Sequence, residues 1–209
     1  MFTPHLFAQK IVLVTGGGSG IGMAIARQFL QYGAKVYIAS RKQERLDKAL
    51  EVLRGFGDCD AFALDIRNVD AVAEFANYIK EKDGRLDILI NNAGGQFPSM
   101  AEDISTNGWN AVINTNLNGT FYMTKEMATS FFLPQKSGTI INIIANIYKG
   151  FPGMAHTGAA RAGVDNLTKS LAIEWANRNV RVNAIAPGII QSSGLENYPP
   201  EMIKGISNR

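Results

Sequence analysis

A single cysteine, Cys59, stands in the chain, so it can build neither an internal disulfide framework nor a multi-cysteine metal site. With only two histidines, His5 and His156, no metal centre is expected at all. No apolar run reaches the roughly 18 residues that a membrane-spanning helix needs. The longest candidate, Thr139 to Ile147, is interrupted by Asn142 and Asn146. The first ten residues lack both a basic start and an A-x-A-like cleavage site, which speaks against a secretory signal. Tracts of one charge sign are missing too: 21 basic and 18 acidic residues are scattered for a net charge of +3, and nucleic acid is not an expected partner. Linkers, low-complexity stretches and repeats of 20–50 residues are also absent. These absences predict no membrane span and a reducing, cytoplasmic setting.

What is present is a chain of 209 residues, 46% hydrophobic, read as one domain spanning 1–209 with a substantial core. Ile11-Val12-Leu13-Val14 is a short, wholly apolar run of the kind that forms a strand buried on both faces. Similar runs recur at Lys35 to Ala39, Ala61 to Leu64, Asp87 to Ile90, Thr139 to Ile144 and Val180 to Ala186. Between them, helical spacing predicts helices over Ile21 to Tyr32, Gln43 to Leu53, Val69 to Glu81, Trp109 to Phe132 and Ala159 to Ala176. Ser105 and Thr106 can cap the fourth helix, and Pro134 is placed beyond its end. Leu167, Leu171 and Trp175 form an apolar stripe that reads as core or subunit interface. Strict alternation of strand and helix predicts an α/β architecture, a doubly wound parallel sheet.

The stretch Thr15-Gly16-Gly17-Gly18-Ser19-Gly20-Ile21-Gly22 follows the first strand and opens the first helix. A tight turn calls for Gly16, close approach of backbone to a diphosphate for Gly20, and packing of helix on sheet for Gly22. The N–H groups of the helix start, around Ser19 to Gly22, suit an anion. After the second strand, a carboxylate would bond a ribose 2′-hydroxyl and repel a 2′-phosphate. Here the residues are Ser40, Arg41 and Lys42, a hydroxyl and two cations, which favour NADP(H) over NAD(H).

Five spaced motifs carry a family resemblance. The glycine stretch, Asp65 after the third strand, Asn91-Asn92-Ala93-Gly94 after the fourth, Asn116 within Asn114 to Gly119, and Pro187-Gly188 after the sixth resemble the short-chain dehydrogenase/reductase superfamily. The resemblance implies a Rossmann fold, with Asp65 and Ile66 flanking the adenine. It sets Asn92, Ala93 and Gly94 against the adenosine ribose, and Pro187, Gly188 and Ile189 at the nicotinamide. It also implies a homo-oligomer, dimer or tetramer, assembled through the two long helices, where Gly158, Ala159, Ala160, Ala162 and Gly163 allow close packing. Members usually continue into a substrate-covering segment and a seventh strand. This chain ends 21 residues after Gly188, and Gln191 to Arg209 reads as a loop with one helical turn, so either the sequence is a fragment or the last strand and lid are expected to be missing.

The usual catalytic pattern of that superfamily is broken. A serine is expected at the end of the fifth strand and a Tyr-x-x-x-Lys at the start of the next helix, the lysine lowering the tyrosine pKa for proton exchange. This chain has Asn142-Ile143-Ile144-Ala145, then Thr157 and Arg161 at the tyrosine and lysine positions. The alternative register, Asp165 to Lys169, puts aspartate where tyrosine is needed. Arg161 can still hold the cofactor ribose. The stretches Ile140 to Asn146, Gly150 to Val164, Asn166 to Ala172 and Gly94 to Phe97 are similar to peroxisomal trans-2-enoyl-CoA reductases and bacterial citronellol/citronellal dehydrogenases.

Reduction of a C=C bond conjugated to a thioester leaves enolate character that hydrogen-bond donors can stabilise, whereas carbonyl reduction needs an acid at the developing alkoxide. Thr157 is a poor acid, which favours C=C reduction of an α,β-unsaturated acyl thioester or a terpenoid-like enal. The candidate donors are Asn116, Tyr148, His156 and Thr157. Two other readings stay open on sequence: an alcohol/aldehyde dehydrogenase, and a catalytically silent NADP(H)-binding scaffold.

Overall fold

A computed structural model describes residues 3–191. Six strands form one parallel sheet: β1 (Ile11–Thr15), β2 (Lys35–Ser40), β3 (Cys59–Ala63), β4 (Ile88–Asn91), β5 (Gly138–Ile143) and β6 (Val180–Ile185). Their spatial order is β3-β2-β1-β4-β5-β6. The order reverses between β1 and β4, which pair in parallel from Val12–Ile88 to Val14–Ile90, and the crevice at their C-terminal ends is where such sheets bind ligands.

β1 is buried along its whole length, and its side chains divide by the two-residue period of a strand. Ile11 and Leu13 enter a core with Phe75, Ile79, Met123, Met127, Phe131 and Leu171. Val12 and Val14 enter the opposite core with Ala26, Leu30, Leu46 and Leu53. The first core lies under α3 (Val69–Asp83), α5 (Gly119–Met127) and α7 (Ala155–Glu174), the second under α1 (Gly20–Gln31) and α2 (Gln43–Leu53). Each buried Leu or Ile adds about 1.5–3 kcal/mol, so both faces contribute and the sheet cannot slip by one residue without exposing one of them.

The expected fourth helix differs in detail. Ser105 Oγ accepts the Gly108 N–H at 3.1 Å, so Ser105 rather than Thr106 caps α4 (Thr106–Ile113). The helix then passes through two π-turns, Asn114–Asn118 and Ala128–Phe132, separated by α5, and ends in α6 (Leu133–Gln135). Pro134 therefore sits inside the last turn rather than beyond it, and Lys136 in the left-handed region (φ 51°) stops the helix. α7 begins four residues earlier than its periodicity predicts, at Ala155, bringing His156 and Thr157 into its first turn. Of the stripe Leu167, Leu171 and Trp175, Leu171 is buried in the core and the other two pack against it. Among the described residues the sheet has six strands, and the expectation for the stretch after Gln191 lies outside them.

Candidate functional site

Thr15 closes β1 and organises the switch point. Its Oγ1 accepts the N–H groups of Asn92 and Ala93, each at 3.0 Å, and donates to Ile90 O at 3.3 Å. The chain then turns at Gly16, whose φ of 68° only glycine adopts freely and whose N–H donates to Ala39 O at 2.7 Å. Gly20, at φ 53°, is a second left-handed position, so its need for glycine lies in the backbone itself as well as in close approach to a ligand.

Gly22 has a different partner from the one expected. A Cβ there would stand 2.3 Å from Gly16 O and 2.5 Å from Asn92 Nδ2, so the glycine seats α1 on the turn rather than on the sheet. A Cβ on Gly17 would meet Ile38 Cγ2 at 2.6 Å. Ser19, the N-cap of α1, is extended and its side chain makes no capping bond. The first backbone bond of the helix runs from Met23 N–H to Ser19 O, so the N–H groups of Gly20, Ile21 and Gly22 precede it. A close-packed, glycine-rich turn leading into unclaimed amides fits the diphosphate of a dinucleotide.

Asn92 serves this turn from within: its Nδ2 donates to Thr15 O at 3.0 Å and Gly16 O at 3.4 Å. At the end of β2, Ser40 Oγ accepts the Lys42 N–H at 3.4 Å, and Arg41 and Lys42 are exposed. Arg45, on the first turn of α2, joins them. Its Cγ lies 3.1 Å from the place a Gly18 Cβ would occupy, so its stem lies over the glycine turn. Asp65 grips Arg67 through both carboxylate oxygens (Nε–Oδ1 2.9 Å, Nη2–Oδ2 2.6 Å), and those bonds, against the opposing pull of burial, hold its carboxyl below the usual range. Ile66 is buried against Gly119, whose Cβ would come within 2.7 Å of Ile66 Cδ1. Beside Asp65 and Arg67 lies an open groove of about 480 Å³, walled also by Asn68, Asn114, Asn118 and Tyr122.

Three groups converge beyond the end of β4. A Cβ on Gly94 would stand 2.4 Å from Arg161 Nη2 and 2.8 Å from Asn116 Oδ1. Asn116 is fully buried in the first π-turn, a device common at functional sites. Its carboxamide clamps Gly95, accepting the Gly95 N–H at 2.9 Å and donating to Gly95 O at 2.8 Å. Asn116 therefore holds the Gly94-Gly95 turn. Arg161 Nη1 donates to Ile143 O at 3.0 Å, and among the described residues no carboxylate pairs with the guanidinium. Its surface is partly exposed, yet protein atoms enclose the charge, and this burial brings its pKa down to about 10.

Thr157 is fully buried and lies four residues before Arg161, on the same face of α7. His156, also fully buried, accepts the Thr157 N–H on Nδ1 at 2.9 Å. Tyr148 stands apart: it is 91% exposed on the loop after β5, so the geometry does not gather it with Arg161 and Thr157. Pro187, Gly188 and Ile189 follow β6 at the same edge of the sheet, with open space around Gly188 and Ile189 exposed.

Behind these groups runs a buried polar chain that the sequence pattern did not single out. Asn91 Nδ2 donates to Thr124 Oγ1 (2.8 Å) and Asn142 Oδ1 (2.9 Å), and Asn142 Nδ2 donates to Thr168 Oγ1 (2.9 Å). It ties β4, β5, α5 and α7 together directly beneath the site. The polar residues Asn91 and Asn142 inside otherwise apolar strands were the available signal, since a buried carboxamide must find partners.

Comparison with known proteins agrees with this geometry. The family model for short chain dehydrogenase matches residues 10–202. A probable 2,4-dienoyl-CoA reductase of Bacillus subtilis is 39% identical over 189 residues, covering 89% of this chain and 74% of the relative. A solved structure of citronellol catabolism dehydrogenase (AtuB) from Pseudomonas aeruginosa superposes with a TM-score of 0.87 at 40% identity, covering 91% of this chain and 79% of that one. A putative NAD(P) dependent gluconate 5-dehydrogenase from Beutenbergia cavernae, with NADP bound, superposes at 0.89 and 31% identity, over 99% of this chain and 84% of that one. With its glycine turn, switch-point crevice and matching motifs, the chain belongs to the short-chain dehydrogenase family of nicotinamide-dependent oxidoreductases.

Proposed function

We propose that this protein is an NADP(H)-dependent reductase of C=C bonds conjugated to a carbonyl, acting on an α,β-unsaturated acyl thioester or a terpenoid-like enal. The observation that carries the reading is Arg161: an enclosed cation with no carboxylate partner among the described residues, beside Gly94 and Asn116, on the helix face it shares with Thr157. A bound nicotinamide supplies the hydride. Arg161 stabilises the negative charge that gathers on the carbonyl oxygen, a task a fixed cation performs without exchanging a proton. It also lies where it can hold the ribose next to Gly94. Asn116 fixes the Gly94-Gly95 turn against which the ring end rests. Thr157, whose hydroxyl does not ionise near neutral pH, contributes a hydrogen bond and no acid, so the α-carbon takes its proton from water. Gly16 and Ser19 to Gly22 hold the diphosphate. Ser40, Arg41, Lys42 and Arg45 face the 2′-phosphate, Asp65 and Ile66 the adenine, Asn92 to Gly94 the ribose, and Pro187 to Ile189 the nicotinamide.

The relative named as a dienoyl-CoA reductase supports this substrate class, and the citronellol dehydrogenase neighbour supports the alternative, an alcohol/aldehyde dehydrogenase. The decisive assay follows NADPH oxidation with an enoyl-CoA and, separately, an enal, with product identification. The saturated thioester and saturated aldehyde are expected. Dominant reduction of C=O would install the dehydrogenase reading, and NADPH binding without turnover the silent scaffold. Replacing Thr157 by Tyr together with Arg161 by Lys should raise carbonyl activity more than C=C reduction.

We also propose a homo-oligomer formed through α4–α5 and α7. Gly158 and Gly163 are occupied within the chain, packing on Phe151 and Leu117, which leaves Ala159, Ala162 and Ile173 on the exposed face of α7, with Trp109 and Phe121 exposed on α4 and α5. No described helix is long and apolar enough to cross a membrane, and we place the protein in the cytoplasm.

A further inference from the structure

Among the described residues, two buried side-chain polar atoms have no hydrogen-bond partner, Asn91 Oδ1 and His156 Nε2. The first belongs to the carboxamide chain beneath the site. The second has a different setting. His156 is fully buried, and the Thr157 N–H is shared between His156 Nδ1 at 2.9 Å and Met154 O at 3.0 Å; where Nδ1 accepts it, the proton of the neutral ring lies on Nε2. A buried N–H left unpaired is unfavourable and calls for an acceptor. What packs on the imidazole instead is Phe97, edge to face, with ring centroids 4.5 Å apart and planes at 90°.

Phe97 is itself 38% exposed, and its Cζ lies 2.9 Å from the place a Gly108 Cβ would occupy, so α4 makes room for the ring with a glycine. The loop that carries it is tied to the loop before α7 by the Ser99 N–H to Gly153 O bond at 2.8 Å. A buried imidazole nitrogen without a partner, packed against a ring that reaches solvent, is arranged to be uncovered.

We propose that His156 Nε2–H is a hydrogen-bond donor to the carbonyl oxygen of the substrate, and that Phe97 is the apolar side chain displaced when that oxygen arrives. An uncharged donor against an aromatic ring matches an acceptor that is neutral on binding and gains charge during reduction. The proposal takes its ligand class from the reductase reading.

The test compares His156→Leu with His156→Gln, which keeps an N–H donor near the Nε2 position. In the leucine variant kcat for the enoyl thioester or enal should fall about 10²–10³-fold, as when one oxyanion donor is removed, with at least tenfold recovery in the glutamine variant. NADPH affinity, read by fluorescence, should stay unchanged in both. Calorimetric binding of the saturated acyl thioester gives the same contrast without turnover, weakened about tenfold by leucine and not by glutamine. Equal losses in the two variants, an unchanged leucine variant, or loss of NADPH binding would each overturn the proposal. A wild-type chain that oxidises alcohols and leaves enals untouched would instead overturn the reductase reading. The leucine–glutamine contrast, measured with the alcohol's carbonyl product, would then still decide the role of His156.

Discussion

Replacing Arg161 with methionine should make the protein more stable and far less active. The guanidinium is enclosed by protein, has no carboxylate partner among the described residues, and is bonded to one carbonyl, Ile143 O. Burial lowers its pKa to about 10, some two to three tenfold steps below the ordinary value, which at about 1.4 kcal/mol per step is a cost of about 3 kcal/mol for keeping it charged. Methionine removes that cost and retains much of the apolar stem. It also gives up the charged hydrogen bond, worth about 1.5–3 kcal/mol, and leaves Ile143 O without the guanidinium. The net expectation is a gain of up to about 1.5 kcal/mol, or a melting temperature up to about 5 °C higher for a chain of this size.

The cost has a pH signature. The unfolded chain holds the Arg161 proton more tightly than the folded one, so the penalty is complete below about pH 10 and fades above it. Melts at neutral pH therefore show the full difference. Thermal unfolding by circular dichroism, beside turnover of the enal, tests the balance: turnover should drop by about 10²-fold or more while the melting temperature rises. A variant that melts lower than wild type would refute the reasoning, because the cation would then be stabilising the fold rather than being held at a cost for the reaction.

Two further outcomes are expected. Arg41→Ala should weaken NADPH about tenfold and leave NADH nearly unchanged, and Arg45→Gln should do the same to a smaller degree through its place over Gly18. Fluorescence titration with both cofactors checks this, and equal weakening of the two would remove the 2′-phosphate reading. Sedimentation at micromolar protein should show an even-numbered oligomer, and Ile173→Asp on the exposed face of α7 should dissociate it, whereas a monomeric wild type would contradict assembly through that face.

Local patterns in the sequence settle most of the framework. Runs such as Ile11 to Val14 have a single use, a strand buried on both faces, and their alternation with helical segments leaves only the doubly wound sheet. The glycine turn and Ser40-Arg41-Lys42 are equally legible, because turn geometry and charge reside in residues adjacent along the chain. The tertiary structure decides whatever depends on which distant atoms meet. Gly22 looks like a sheet-packing glycine until Gly16 O is found 2.3 Å from its absent Cβ. Only the fold shows that Gly95 takes both ends of the Asn116 carboxamide and that the Tyr148 ring is 91% exposed. Arg45 joins the cofactor rim only because α2 packs over Gly18. The unpartnered Nε2 of His156, under the Phe97 ring, emerges only once the loop after β4 packs on α7. Backbone propensity and hydrophobic period act over a few residues and can be read along the chain, whereas hydrogen-bond satisfaction and charge burial are properties of the closed packing and exist only once the chain has folded.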